Sequence, residues 1–109
     1  MRNIIFSALL LTSAFQTALG QIVEGQWTYL VENGEATIQA STATGAVTIP
    51  SVLGGYAVKR VGNSGLSIFG GPNTSVTSVV IPNSVTSIEG FAFSQCTSLA
   101  SITLSLIHI

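Results

Sequence analysis

Apolar positions in the second half of the chain return at a fixed interval. Three such positions recur 23 residues later across a segment rich in Ser and Thr: Val76 as Leu99, Val79 as Ile102, and Ile81 as Leu104. A period of this length is typical of repeat proteins, in which one supersecondary unit stacks on the next. Apolar and polar residues also alternate locally, which predicts half-buried strands. The pattern therefore predicts a mostly β repeat solenoid.

Each predicted strand is followed by a second apolar pair. Val47-Thr48-Ile49-Pro50 reappears as 79–82, and Pro favours the end of a strand because it cannot donate to the ladder. A third copy starts at Ile102-Thr103-Leu104 but has Ser105 in place of Pro. The second pairs are Val58 with Val61 and Val85 with Ile88. The first repeat is longer, and its extra residues, 53–57 among them, are expected in loops.

A short helical turn is predicted over 91–96. It would direct Ala92, Phe93 and Cys96 inward, and Phe69 is expected to take the role of Phe93 in the first repeat. The predicted structural core comprises the inward positions of all these elements: Val47, Ile49, Val58, Val61, Val79, Ile81, Val85, Ile88, Ala92, Phe93, Cys96, Leu99, Ile102 and Leu104.

Residues 27–40 have the pattern of a β-hairpin. Asn33-Gly34 suits a type I′ turn. The expected pairs are Glu32 with Glu35, Val31 with Ala36, Tyr29 with Ile38, and Trp27 with Ala40. This register gives one apolar face and one mainly polar face that includes Thr37. A lone hairpin is marginal in water, so we expect the apolar face to cover the end of the repeat stack as an N-terminal cap. The alternative is an aromatic ligand platform formed by Trp27 and Tyr29.

The N-terminus has the features of a secretory signal peptide. Arg2 precedes an apolar run from Ile4 to Leu11, and 18–20 reads Ala-Leu-Gly, a small-x-small cleavage pattern. The run is shorter than the roughly 20 apolar residues that span a bilayer. We expect cleavage after Gly20, no membrane span in the mature chain, and a secreted or cell-surface location.

Charge and cysteine content limit the possible functions. Only 6% of the 109 residues are charged, and Lys59 and Arg60 are the only Lys or Arg residues after Gly20. Two cations neutralise few phosphates, which argues against nucleic-acid binding. Cys96 is the only cysteine, so an intrachain disulfide is impossible. We expect it to pack as a small apolar residue, with a reactive or intermolecular thiol as the alternative.

The sequence offers little for catalysis. It has no Asp, and its only His is His108. Acid–base and triad chemistry use such groups on a rigid scaffold, so we predict no enzyme activity. Gly62-Asn63-Ser64-Gly65 is expected to be a turn. No spacing fits a metal site, and no cofactor is predicted. Residues 73–75, Asn-Thr-Ser, form a glycosylation sequon that matters only in a eukaryotic secretory pathway.

Residues 81–99, IPNSVTSIEGFAFSQCTSL, resemble the BspA-type leucine-rich repeat, and the likeness extends over 47–104 if the longer first repeat is included. Glu89 departs from the usual Gly, and the first repeat lacks the A-F-x-x-C element. The resemblance implies a secreted or surface repeat protein of bacteria or protists that serves adhesion and protein binding without catalysis.

These observations predict a division into four segments: a signal peptide at 1–20, a hairpin cap and connector at 21–46, about two repeats at 47–104, and a non-native or truncated tail at 105–109. The chain is expected to be a fragment of a longer protein. Its predicted function is binding an unknown protein or surface glycan. Alternatives are a spacer or surface-layer repeat without a ligand, and a targeting module of a larger enzyme. The candidate binding residues are Thr48, Val80 and Thr103 on the strand face, with Lys59 and Arg60 as a basic patch.

Overall fold

The computed structural model describes residues 14–16, 20–62, 65 and 67–105. These residues form ten strands joined by turns, and they contain no α-helix, so the fold is mostly β as predicted. No helix that could span a membrane is found among them either. Most of the predicted signal peptide, residues 63 and 64 of the predicted turn, and residues 106–109 of the tail lie outside the described residues.

The strands follow one another closely along the chain. Their bounds are β1 Ala14–Gln16, β2 Ile22–Glu24, β3 Trp27–Glu32, β4 Glu35–Ser41, β5 Gly45–Thr48, β6 Val52–Leu53, β7 Tyr56–Val61, β8 Val76–Ile81, β9 Ser87–Ile88 and β10 Ser101–Leu104. They form a seven-stranded and a three-stranded sheet.

The three-stranded sheet carries the 23-residue period. Its order is β10-β8-β5, and both pairings are parallel. Ile102 lies beside Val79, and Leu104 beside Ile81, which is the register that the spacing predicts. Val47 lies on the other side of Val79, so the first apolar residues of three successive copies form one row.

The seven-stranded sheet joins the hairpin to the second apolar pair of each repeat. Its order is β1-β2-β3-β4-β7-β6, and β9 also pairs with β7. The first three neighbouring pairs are antiparallel, whereas β4 and β9 both run parallel to β7. Ile38, Val61 and Ile88 consequently lie in one row across three strands. Ile38 of the hairpin thus extends the row that Val61 and Ile88 form in the repeats.

The hairpin forms with a bulge. The pairs from Tyr29–Ile38 to Glu32–Glu35 are the expected ones, but the register shifts between Thr28 and Tyr29. Trp27 therefore lies opposite Ser41 and not Ala40, because a bulge places two residues of one strand against one of the other. The predicted exposure of Thr37 is also wrong: it is buried, and its hydroxyl has no hydrogen-bond partner.

The insertion in the first repeat is more ordered than a loop. Residues 52–57 form a tight hairpin in which Leu53 pairs with Tyr56 across Gly54 and Gly55. Both glycines have positive φ, the conformation that a two-residue turn requires. Leu53 is buried in the core, so the insertion contributes to packing.

The predicted helical turn over 91–96 is absent. The segment is a run of turns, held by hydrogen bonds from the Ala92 amide to the Glu89 carbonyl and from the Ser94 amide to the Phe91 carbonyl. Gln95 has a φ of 61°, and this left-handed conformation interrupts a right-handed helix. The rings of Phe69 and Phe93, which are predicted to play equivalent parts in the two repeats, stack with centroids 6.1 Å apart.

Burial separates the predicted core positions into three groups. Those fully buried are Val47, Ile49, Val58, Val61, Val79, Ile81 and Ala92. Those half-buried and packed against the core are Val85, Phe93, Cys96 and Leu99. Three positions predicted to be buried are exposed: Ile88 at 41%, Ile102 at 45% and Leu104 at 56%. Ile88 and Ile102 differ from their buried neighbours because β9 and β10 are the last strands of the described chain.

Candidate binding surface

Three of the predicted binding residues lie side by side on the three-stranded sheet. Thr48 pairs with Val80, and Val80 pairs with Thr103 on its other side. Thr48 and Thr103 are exposed and Val80 is half-buried. We call these three residues the outward row. Their placement follows from strand geometry, since each sits between apolar residues that point to the opposite face.

Three further residues form a row beside the outward row on the same face, and they were not predicted from the sequence. Ala46 pairs with Ser78, and Ser78 with Ser101. Ala46 and Ser101 are exposed and Ser78 is half-buried. Each residue lies two positions before a member of the outward row, so strict alternation along the strands could have identified all three. We call them the second row.

The two rows form a face of small, uncharged side chains. Each member is Ala, Ser, Thr or Val, so the face has hydroxyl and methyl groups but no formal charge. Hydroxyls both donate and accept hydrogen bonds, and the absence of long side chains lets another backbone or a sugar ring approach the strands. Such a face suits shallow contact with a neutral partner and provides no group for acid–base chemistry.

Lys59 and Arg60 lie on the other sheet, apart from the outward row. Arg60 pairs with Thr37 on β4 and with Ser87 on β9. Lys59 is the extra residue at a register shift between β4 and β7, and its carbonyl accepts from the Thr86 amide. The bulge explains why two outward residues separate the inward Val58 and Val61, where an ordinary strand has one.

The basic patch is partly neutralised. Arg60 Nη1 lies 3.5 Å from Glu35 Oε1, and both side chains are exposed to solvent. An exposed ion pair of this kind contributes about 0–1 kcal/mol to stability. Of the two cations, only Arg60 forms a salt bridge among the described residues. Lys59 and Arg60 lie on a different sheet from the outward row, so the five predicted binding residues do not form one surface.

The proposed aromatic platform is not available on the hairpin. Tyr29 is 1% exposed, and Trp27 is half-buried against the core. The Tyr29 hydroxyl donates to Glu24 Oε1 at 3.1 Å. Burial raises the pKa of Tyr29 to about 12, and the hydrogen bond and the charge of Glu24 contribute to the shift. Tyr29 therefore has a packing role between β2 and the turn at Gly54.

Asn73 in the sequon has an engaged side chain. Its Nδ2 donates to the Phe69 carbonyl at 3.1 Å, and its Oδ1 accepts from the amides of Ser75 and Val76. Its backbone also bonds to the segment around Cys96. These bonds engage both ends of the side-chain amide, which favours a structural role for this residue.

Cys96 is half-buried, and its Sγ lies 3.9 Å from the Ser67 hydroxyl. It contacts the core cluster from its edge. Within the described residues, no group of three His, Cys, Asp or Glu side chains is close enough to hold a metal ion.

Comparisons with known proteins agree on one family. Residues 66–107 match the family model described as "BspA type Leucine rich repeat region (6 copies)". The match begins later than the resemblance inferred from 47. The comparison with curated proteins gave no match.

Two solved structures are similar to this chain. The first is a leucine rich cell surface protein from Faecalibacterium prausnitzii, with 32% identity and a TM-score of 0.66 over 77% of this chain. The second is a leucine-rich repeat protein from Bacteroides capillosus, with 28% identity and a TM-score of 0.63 over 79% of this chain. This chain covers 23% of the first protein and 66% of the second. None of these descriptions names an enzyme. Residues 66–107 of this chain are therefore similar to a BspA-type leucine-rich repeat region.

Proposed function

We propose that this chain is a secreted or cell-surface binding module whose repeats stack as a solenoid and contact a protein or a surface glycan through the outward row. The observation that carries the proposal is the register of Thr48, Val80 and Thr103 across three parallel strands. Inward positions maintain the stack, so the outward positions are free to serve recognition. The similarity to a cell surface protein supports the location.

The chemistry of the face favours a neutral ligand. Six small side chains in two rows provide hydroxyl and methyl groups without a charge. Each contact is shallow, so one copy of the chain should bind weakly, and presentation of many copies should raise the apparent affinity. Adhesion, in which many copies act together, fits this behaviour.

We further propose the organisation that the sequence suggests. Residues 1–20 act as a signal peptide, 21–46 as cap and connector, and 47–104 as the repeats. The pairing of β4 with β7 supports the cap, because the hairpin covers one side of the second apolar pair of the first repeat. N-terminal sequencing of the exported protein tests the cleavage site, which should leave Gln21 first.

The binding proposal is tested with a charged pair of substitutions on each sheet. Beads coated with the chain are applied to a panel of purified extracellular proteins and to a glycan array. Thr48→Arg with Thr103→Arg should reduce binding at least tenfold. Thr86→Arg with Ser87→Arg adds the same charge at two exposed positions, the first residue of β9 and the residue before it, and should leave binding unchanged.

Two results would contradict the proposal. If both double variants lose binding equally, the effect is one of charge and not of the outward row. If the unmodified chain binds nothing on either panel while its circular dichroism shows a folded β protein, a spacer without a dedicated ligand becomes the better explanation.

A further inference from the structure

The outer face of the larger sheet carries most of the charge of the molecule. The sequence has three Lys or Arg and four Glu residues, and all but Arg2 follow Gly20. Four of these six residues lie on neighbouring strands of the larger sheet: Glu32 on β3, Glu35 on β4, and Lys59 and Arg60 on β7. We call these four residues the charged face. The strands of the three-stranded sheet, by comparison, contain no charged residue.

The register of the strands determines the order of the charges across this face. Glu32 pairs with Glu35, and Glu35 pairs with Ala57 of β7 on its other side. Cross-strand partners share a face of the sheet, so both carboxylates lie on the same side. Lys59 and Arg60 follow Ala57 two and three positions later on the adjoining strand. The face is therefore acidic at the hairpin strands and basic at β7.

The chain pairs only one acid and one base of the charged face internally. Arg60 Nη1 lies 3.5 Å from Glu35 Oε1, whereas Glu32 and Lys59 form no salt bridge among the described residues. Glu32 is exposed and Lys59 is half-buried, as is common for a lysine whose stem packs while its ammonium group stays in water. β4 separates β3 from β7, so these two strands lie about 10 Å apart, which keeps the two charges from each other.

Apolar side chains adjoin the charges on the same face. Val52 on β6 pairs with Ala57 and is 54% exposed. Leu30 on β3 is half-buried and lies in one row with Thr37 and Arg60. Protein interfaces combine apolar contact at the centre with a polar rim, and complementary charges determine partner choice and register. The charged face and its apolar neighbours provide both kinds of group.

We propose that the charged face binds a second copy of the chain, face to face across a two-fold axis, with Glu32 of each copy against Lys59 of the other. The face is self-complementary, because a two-fold interface that brings one residue to another also forms the reciprocal contact. Like charges opposite each other are destabilising, so a cation from the second copy also relieves the repulsion between Glu32 and Glu35. A partner of one charge sign would instead meet like charges at one side of the face. The outward row lies on the other sheet, so this inference does not depend on the proposed function.

Sedimentation velocity of the purified chain over a range of concentrations tests the proposal. The dissociation constant of the dimer should rise at least tenfold between about 0.05 M and about 0.5 M NaCl, because salt screens exposed charges. Glu32→Lys and Lys59→Glu should each raise this constant at least tenfold, since each change places two pairs of like charges across the interface. Neither position is buried, so both variants should fold, and circular dichroism checks this.

A mixture of the two variants provides the decisive measurement. When Glu32→Lys and Lys59→Glu are combined in equal amounts, each lysine of the first variant faces a glutamate of the second, so the dimer should return. Thr48→Lys and Thr48→Glu are the matched controls, because they change the net charge on the three-stranded sheet. Both should leave the dissociation constant of the dimer unchanged.

Three results would overturn the inference. A chain that remains monomeric in low salt at the highest concentration does not associate through this face. Dimers of equal strength in both single variants would place the interface elsewhere. A mixture that stays monomeric would mean that the single variants lose the dimer for a reason other than the contact of Glu32 with Lys59. In each case the bead assay of the outward row still decides the proposed function separately.

Discussion

The two ends of the molecule contain similar apolar residues in very different surroundings. At the hairpin end, formed by β3 and β4, Ile38 is 0% exposed between two paired strands. At the other end, formed by β9 and β10 and called the open end, Ile88 occupies the same row two strands further on and is 41% exposed. The chemistry of the two side chains is identical. Their burial therefore depends on whether a neighbouring strand follows, and not on the residue itself.

The contacts at the hairpin end do not follow the pattern of the repeats. Antiparallel strands, a bulge at Thr28 and the Tyr29–Glu24 hydrogen bond close the larger sheet there. The open end retains the parallel register of the repeats to its last strand. A repeat protein needs different solutions at its two ends because a regular strand always leaves one edge unpaired.

The largest difference between the ends should appear when one isoleucine is truncated at each. Ile38→Ala leaves a cavity in a packed region and should lower the free energy of unfolding by about 2–5 kcal/mol. Ile102→Ala removes a side chain that is already 45% exposed and should cost about 1 kcal/mol or less. Urea unfolding followed by circular dichroism measures both. Equal losses would mean that the open end is covered in solution.

The contact between the first and second repeats depends on Gly62. Its φ is +125°, and an added Cβ would lie 2.5 Å from the Glu89 Cβ. Gly62→Ala should therefore destabilise the fold by about 2 kcal/mol, because side chains rarely adopt this backbone conformation. Gly90→Ala is the matched control at the open end. The φ of Gly90 is not positive, and a Cβ added to Gly90 would have no neighbouring atom within 4 Å. If both variants unfold at the same temperature, the close approach of Gly62 to Glu89 is contradicted.

At the hairpin end, Tyr29 makes stability sensitive to alkali. Its folded pKa of about 12 exceeds the ordinary value of 10, so the native state holds this proton more tightly than the unfolded state. This contribution is complete below pH 10 and is lost as the pH rises through 12. Tyr29→Phe should cost about 1 kcal/mol at neutral pH and should reduce the decline between pH 10 and 12. Tyr56→Phe provides the control, and an unchanged alkaline profile in Tyr29→Phe would contradict the assignment.

The smallest effect is expected at Thr37, the buried hydroxyl of the hairpin end. Removing an unpaired buried hydroxyl should be neutral or stabilising, so Thr37→Val should raise the unfolding free energy by up to about 1 kcal/mol. Thr103→Val on the exposed outward row should change it by less than about 0.5 kcal/mol. A clear loss in Thr37→Val would mean that its hydroxyl has a partner in solution.

The sequence predicts the repeating parts of the fold better than the irregular ones. A fixed spacing of apolar residues determines which positions become neighbours, so the row of Val47, Val79 and Ile102 follows from that spacing alone. The turn type at Asn33-Gly34 likewise specifies most of the hairpin register. These features depend on local residue chemistry and counting.

The features that escaped prediction depend on contacts distant in the chain or on backbone conformation. Bulges at Thr28 and Lys59 change the register without changing the apolar pattern. The left-handed Gln95 prevents a helix that the Ala92-to-Cys96 spacing favours. Leu104 is exposed because β10 has a paired strand on only one side among the described residues, and the apolar pattern of β10 does not indicate this. The second row at Ala46, Ser78 and Ser101 was recoverable from alternation but was not identified.

The outward row also sets a length scale. Neighbouring strands lie about 4.8 Å apart, so three strands carry Thr48, Val80 and Thr103 over roughly 10 Å. An extended peptide advances about 3.3 Å per residue, so a row of this size measures about three residues of such a ligand laid across the strands. Each additional strand would lengthen the row by the span of about one and a half residues of an extended peptide. The number of repeats would then determine the length of ligand that the row contacts, and the residues in the row would determine which ligand it recognises.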